Sequence, residues 1–317
     1  MNFRLTLLTT IPILLLSSLI HPQCLSTWSE PQCASILSLE SSHCTTYHIF
    51  VARGTDAKLP GRQGELIRLI CAKISYTNPN ITCGYENIEY SAKSRFVSKD
   101  SWCASADAGV VSGQRQMTAY AEKCPDSKLI LLGYSQGASV ALDIIGGGGG
   151  PVFECAQAPS PALRRNTSPG SKIAAIAVFG AVRRSANQRY SVKGGASFDG
   201  KAPRSSQQLR ALNEYADILR DYCNKGDFIC AVGSQPESLE NHLSYFDLYN
   251  EEAAEWIVET ALGRRGLEEK GMFRSAASLG TRLGYDSWTL GLVGAVGVGV
   301  LVFVRIKLWR WFAMRRY

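Results

Sequence analysis

The chain has 317 residues, 45% of them apolar, enough for one domain with a full core plus extensions. Its formal charge of +7 is confined to one end: of 34 basic and 27 acidic side chains, residues 263–317 hold 10 and 3, leaving 24 and 24 for residues 1–262. A neutral body argues against a nucleic-acid-binding surface.

Residues 1–23 carry Arg4 and then a Leu/Ile-rich run from Leu5 to Ile20, the pattern of a secretory signal peptide with cleavage between Ser18 and Gln23. Ten cysteines are scattered along the chain without paired CxxC motifs, which predicts a disulfide framework in an oxidising compartment and no metal site. By spacing alone, Cys223 with Cys230 is the pair to expect. Asn80–Ile81–Thr82 and Asn166–Thr167–Ser168 are N-glycosylation acceptors, in keeping with secretion.

Thr46 to Ala52 (TYHIFVA) reads as the first core strand, ending in the polar turn Arg53–Gly54–Thr55. In an open α/β sheet the ligand-binding loops lie at such strand ends. Gly61 to Ile74 has helical periodicity, Ile81 to Ser91 is weakly strand-like, and Ala104 to Lys123 reads as a long helix.

The next stretch, Lys128 to Ala141, reads KLILLGYSQGASVA. An apolar run of strand length turns sharply through Gly133–Tyr134–Ser135–Gln136–Gly137 into a buried helical pattern. This is Gly-x-Ser-x-Gly between a strand and a helix, the nucleophile elbow. A turn that tight pushes its central side chain outward, and Gly133 and Gly137 let backbone pass close by. Ser135 then stands at a helix start, where free amide N–H groups and the helix dipole favour a developing oxyanion.

Beyond the elbow, Gly146 to Gly150 reads as a helix stop and flexible loop; no Lys-Ser or Lys-Thr follows to support a phosphate loop. Lys172 to Gly180 is another buried strand, Val182 to Arg210 is irregular, Ile218 to Tyr222 fits a last strand, and Glu251 to Leu262 is an amphipathic helix. Alternating strands and helices predict a parallel sheet covered on both faces. Residues 263–287 read as a basic linker and 288–304 as a short, uncharged transmembrane helix. The basic tail 305–317 would lie on the cytosolic side. A lipid-anchor signal is the runner-up, but such a signal ends in its hydrophobic tail.

An elbow serine is followed in chain order by an acid and then a histidine. Only His242 lies downstream of Ser135. It must be neutral to accept the serine proton. Asp217, Asp221, Asp227, Glu237 and Glu240 are candidates for the acid that orients it. Asp227 stands out because it lies within Cys223–Cys230, where a disulfide would hold a carboxylate on a small loop.

CTTYHIFVARGT, CPDSKLILLGYSQG, CNKGDFIC and HLSYF resemble, in order and spacing, the cutinase and acetylxylan esterase family over about Cys44 to Leu262. The resemblance implies a compact α/β-hydrolase fold. This is a three-layer sandwich around a mostly parallel five-stranded sheet, without a large lid. It implies Ser135 as nucleophile, His242 as general base, Asp227 as orienter, and an oxyanion hole from Thr55 and the Gln136 N–H. It also implies Cys44–Cys124 and Cys223–Cys230 disulfides and no cofactor. Two departures stand out: Phe228 follows the acid where relatives often carry Pro or Leu, and Gly180–Ala181–Val182–Arg183 replaces a Gly-Asp-Pro.

The implied activity of residues 24–262 is serine-dependent hydrolysis of carboxylic esters, with acetylated xylan the first substrate and cutin or another aliphatic polyester the second. No long apolar insertion announces an acyl groove. The competing class is a catalytically inactive, membrane-tethered binding protein, which a broken triad would signal.

Overall fold

The computed structural model describes residues 28–263. The expected signal peptide, the linker, the transmembrane segment and the basic tail lie outside the described residues. Among the described residues no helix is long and apolar enough to cross a membrane.

The elements run α1 (Glu30–Leu37), β1 (Tyr47–Ala52), α2 (Gly64–Thr77), β2 (Cys83–Asn87), α3 (Ser101–Lys123), β3 (Lys128–Tyr134) and α4 (Gln136–Gly146). There follow β4 (Gly148–Val152), β5 (Cys155–Ser160), β6 (Ile173–Phe179), β7 (Ser191–Val192), α5 (Ser206–Asn213), β8 (Leu219–Tyr222), α6 (Leu239–Leu243) and α7 (Tyr245–Leu262). The main sheet has the order β2-β1-β3-β6-β8-β7, every pair parallel. The sixth strand, β7, is a two-residue addition at the edge of the expected five.

Alternation along the strands splits the core in two, because successive side chains point to opposite faces. Phe50, Leu129, Leu131, Ile176 and Val178 face α3 and α4. Ile49, Val51, Ile130, Leu132, Ala175 and Ala177 face α2 and α7. On α2 the stripe Leu66, Ile67, Ile70, Ile74 meets Ala253, Ala254, Ile257, Val258 and Ala261 of α7, both at helical spacing. Helix α4 is buried at every position, so its sequence can be apolar all round.

The chain goes from β1 outward to β2 and returns to β3 on the other side of β1. The strand order therefore reverses between β1 and β3, and ligand crevices open at the carboxyl ends of strands at such a point. Thr55 follows β1 there and Ser135 follows β3.

Two expectations are corrected. The pentaglycine is not a flexible loop: Gly148–Val152 pairs antiparallel with Cys155–Ser160. Arg183 donates to the Gly149 and Gly150 carbonyls at 2.6 and 3.0 Å, and Gln208 to the Gly147 carbonyl at 3.1 Å. A Cys103–Cys155 disulfide ties the hairpin to α3. Long-range donors supply the order that the glycine backbone lacks. The 182–210 stretch also holds structure, the edge strand β7 and helix α5, whose Ser205–Gln208 capping box closes its N-terminus.

The expected Cys44–Cys124 and Cys223–Cys230 disulfides are present, joined by Cys71–Cys83 and Cys103–Cys155. Asn80 and Asn166 are exposed.

Candidate active site

Ser135 occupies the turn between β3 and α4 with φ 57° and ψ −115°. A non-glycine residue held there costs about 1–3 kcal/mol, which the surrounding contacts must offset. Close approach explains the flanking glycines. A Cβ on Gly137 would stand 2.0 Å from the Ala52 carbonyl oxygen, and one on Gly133 would stand 2.5 Å from the Gly137 carbonyl oxygen. The Ser135 N–H donates to the Phe179 carbonyl at 2.8 Å, fixing the turn against β6.

Ser135 Oγ lies 3.0 Å from His242 Nε2, and His242 Nδ1 lies 2.8 Å from Asp227 Oδ2. His242 comes from α6, just before α7. The imidazole fits because position 180 has no side chain: a Cβ on Gly180, at φ +61°, would stand 2.9 Å from His242 Cε1. Asp227 lies fully buried on the loop after β8, and Tyr245 and the Ile229 N–H donate to its two oxygens at 2.7 and 2.8 Å. Burial pushes its carboxyl pKa up. The hydrogen bond and charge of His242, then the bonds from Tyr245 and Ile229, outweigh that and hold it below the usual carboxylate value. Burial and the adjacent Asp227 charge push the Tyr245 hydroxyl well above its ordinary range, so it stays a donor.

The other acid candidates are placed elsewhere. Asp221 forms a fully buried ion pair with Arg184 at 2.7 Å. Asp217 faces Arg165 at 3.8 Å, while Glu237 and Glu240 are exposed. The Asp227 loop is pinned by the Cys223–Cys230 disulfide and by Arg184, which also donates to the Gly195, Phe198 and Cys230 carbonyls.

Thr55 lines the same cleft as Ser135 and His242. Gln136 opens α4, where the first backbone N–H groups have no partner within the helix. Its side-chain amide donates to the Lys93 and Trp102 carbonyls at 3.1 and 3.2 Å, which anchors the helix start. Ser135, His242 and Asp227 thus come together at the carboxyl end of the sheet, with Thr55 lining the cleft over Ser135 and Gln136 the next residue in the chain. Sequence reasoning missed Tyr134, Tyr245, Arg184 and Gly180. Tyr134 stacks on His242 with ring centres 5.3 Å apart and donates its hydroxyl to the His242 carbonyl at 2.8 Å. The tyrosines sat within motifs already singled out, GYSQG and HLSYF. Nothing local marked Arg184, whose farthest partner, Cys230, lies 46 positions along the chain.

The cleft over Ser135 has a volume of about 1460 Å³. Leu37, Phe96, Phe153, Phe228, Leu239 and Leu243 supply its apolar walls. They come from α1, two loops, the β4–β5 hairpin and α6, so the groove is assembled from scattered single residues and needs no long apolar insertion.

An open parallel sheet with an elbow serine, and a histidine and buried aspartate behind it, defines the α/β-hydrolase class. The cutinase family model matches residues 43–261, and the chain belongs to the cutinase family. It is 32% identical over 140 residues to a probable carboxylesterase, Culp3, of Mycobacterium tuberculosis, covering 44% of each chain. It is 27% identical over 214 residues to a cutinase of Kineococcus radiotolerans, covering 64% of this chain and 56% of that one. The chain thus spans about half the length of the curated relatives it matches. Among solved structures, the catalytic core domain of an acetyl xylan esterase from Trichoderma reesei superposes with a TM-score of 0.56 at 23% identity, covering 69% of this chain and all of that one. A cutinase-like protein from Cryptococcus sp. does so with a TM-score of 0.50 at 17% identity, covering 72% and 98%. These similarities establish the fold.

Proposed function

We propose that the protein is a serine carboxylesterase. The observation that carries the reading is the continuous path Ser135 Oγ–His242 Nε2 and Nδ1–Asp227 Oδ2, at 3.0 and 2.8 Å, ending in a buried carboxylate. His242 takes the Ser135 proton as Oγ attacks the ester carbonyl. Asp227 holds the tautomer and stabilises the imidazolium. The N–H groups of Thr55 and Gln136 meet the oxyanion. The alcohol leaves with the proton from His242, and water activated by the same imidazole releases the acid. No step calls for a metal or cofactor.

The apolar walls favour an aliphatic acyl group longer than acetyl, as in a polyester of the cutin kind, over acetylated xylan. Each methylene buried contributes about 0.8 kcal/mol, so two raise kcat/KM by about tenfold if the groove accepts them. The test is hydrolysis of p-nitrophenyl acetate, butyrate and palmitate, beside acetylated xylan. A rise from acetate to butyrate is the expected result. Activity confined to acetate and acetylated xylan would move the substrate to sugar acetates, and no turnover by folded protein would leave a tethered binding protein.

We place this activity outside the cytosol. Four disulfides in the described domain, and the exposed acceptors Asn80 and Asn166, support passage through an oxidising, glycosylating compartment. The reading includes residues 1–23 as a cleaved signal peptide and 288–304 as a membrane tether.

A further inference from the structure

The cleft over Ser135 is apolar along its walls and basic at its rim. Lys58, Arg62, Arg95 and Lys201 line it, against the carboxylates of Glu30 and Asp56, a net charge of +2 from four cations and two anions. The Asp56 carboxylate is engaged, accepting from the Ser94 N–H at 3.3 Å. The four cations come from three loops: Lys58 and Arg62 beyond β1, Arg95 before α3, and Lys201 before α5.

None of the four makes an ion pair or a side-chain hydrogen bond among the described residues. Arg53, on the same loop as Lys58 and Arg62, is fully used: it donates to the Ala57 and Tyr90 carbonyls at 2.9 and 2.6 Å. Two buried cations of the domain are ion-paired, Arg184 with Asp221 and Arg204 with Asp143. Two of the four, Arg95 and Lys201, lie over the aromatic walls instead. The Arg95 guanidinium lies 4.6 Å from the Phe96 ring centre and 5.1 Å from that of Phe153, and the Lys201 ammonium lies 5.9 Å from that of Phe228. Aromatic faces orient a cation without neutralising it, so its charge stays available to a ligand. Arg62 lines the same cleft as Tyr134 and Ser135.

We propose that this rim selects carboxylic esters that carry an anionic group, a carboxylate or phosphate, on the part of the substrate lying outside the acyl groove. The inference rests on the esterase reading above and narrows its substrate class: an amphiphile with an apolar acyl chain for the walls and a negative group for the rim. A neutral polyester or a sugar acetate would leave four cations unmatched. Because the rim charges are in contact with solvent, the effect is one of steering and modest binding and is screened by salt.

The test uses the hexanoate esters of para-hydroxybenzoic acid and of its neutral amide, para-hydroxybenzamide. The amide is the better leaving group, so a preference for the acid runs against intrinsic reactivity. The readout is the ratio of kcat/KM for the anionic ester to that for the neutral one. The expected ratio is about tenfold at low salt, falling towards unity in about 0.5 M salt. It should fall likewise in Arg62→Gln and in the double variant Arg95→Gln/Lys201→Gln. Circular dichroism on each variant confirms the fold. Equal turnover of the two esters by the wild type, or preference for the neutral one, would overturn the inference and leave the esterase standing. A preference that survives both the variants and salt would overturn the assignment to this rim. Failure of the folded wild type to hydrolyse either ester would sink the esterase reading itself, and the inference with it.

Discussion

Tyr245 donates its hydroxyl to Asp227 at 2.7 Å, on the same carboxylate oxygen that faces His242 Nδ1. The tyrosine hydroxyl also accepts the Asn224 N–H at 2.9 Å, so it ties the Asp227 loop at two points. It lies three positions after His242, which places the two on consecutive helical segments. In Tyr245→Phe a buried carboxylate loses one of its donors and a buried amide loses its acceptor. Unfolding free energy should drop by about 1–3 kcal/mol in denaturant titration. Ester turnover should fall with it as the imidazole loses its fixed partner. Unchanged stability would show that the clamp carries no energy.

The strained backbone at Ser135 predicts a trade between stability and activity. Ser135→Gly removes the Cβ that makes φ 57°, ψ −115° costly. It should stabilise the domain by about 1 kcal/mol while abolishing turnover. Ser135→Ala keeps the strain and should lose activity alone. Thermal melts of the three proteins separate these effects; a Gly variant less stable than wild type would contradict the assignment of strain.

Asp227 gives a pH signature. Its native carboxyl pKa lies below the unfolded value of about 4. The extra stability of the ionised form is therefore complete above the unfolded value and is lost as pH falls through the native one. The stability gap between wild type and Asp227→Asn should narrow between neutral pH and pH of about 3. A gap that stays constant over that range would mean that the carboxylate is not stabilised in the fold.

Arg184 and Asp221 form a pair with both side chains about 1% exposed. Removing only the cation strands a buried carboxylate, so Arg184→Met should cost about 3–5 kcal/mol. It should also loosen the Asp227 loop, since Arg184 holds the Cys230 carbonyl at 3.2 Å. A melting temperature within a degree or two of wild type would refute this.

What the sequence disclosed follows from what is local in it. The elbow glycines, the helical stripes and the strand runs each answer a constraint satisfied within a few residues, so Ser135, β3 and α4 could be read directly. His242 followed from its being the only histidine after Ser135, and Asp227 from its place inside a short cysteine-bounded loop. The pentaglycine misled because its order comes from Arg183 and Gln208, far along the chain. The apolar walls of the cleft were invisible for the same reason: their residues are single positions in segments that look polar as windows. Edge strand β7 is two residues long and leaves no periodicity to detect. Helix α7 begins at Tyr245, ahead of the expected Glu251, because its first turns pack on the site through Tyr245 and Phe246, residues that a surface-helix pattern does not single out.

The central claim is that His242 and Asp227 activate Ser135. It is tested most directly by labelling the folded, disulfide-intact protein with an alkyl fluorophosphonate and mapping the adduct by mass spectrometry. The account predicts one adduct per chain, on the peptide carrying Ser135, formed in step with loss of esterase activity. That adduct should be absent in Ser135→Ala and sharply slowed in His242→Ala. An unlabelled Ser135 in active protein, or equally fast labelling without His242, would contradict it.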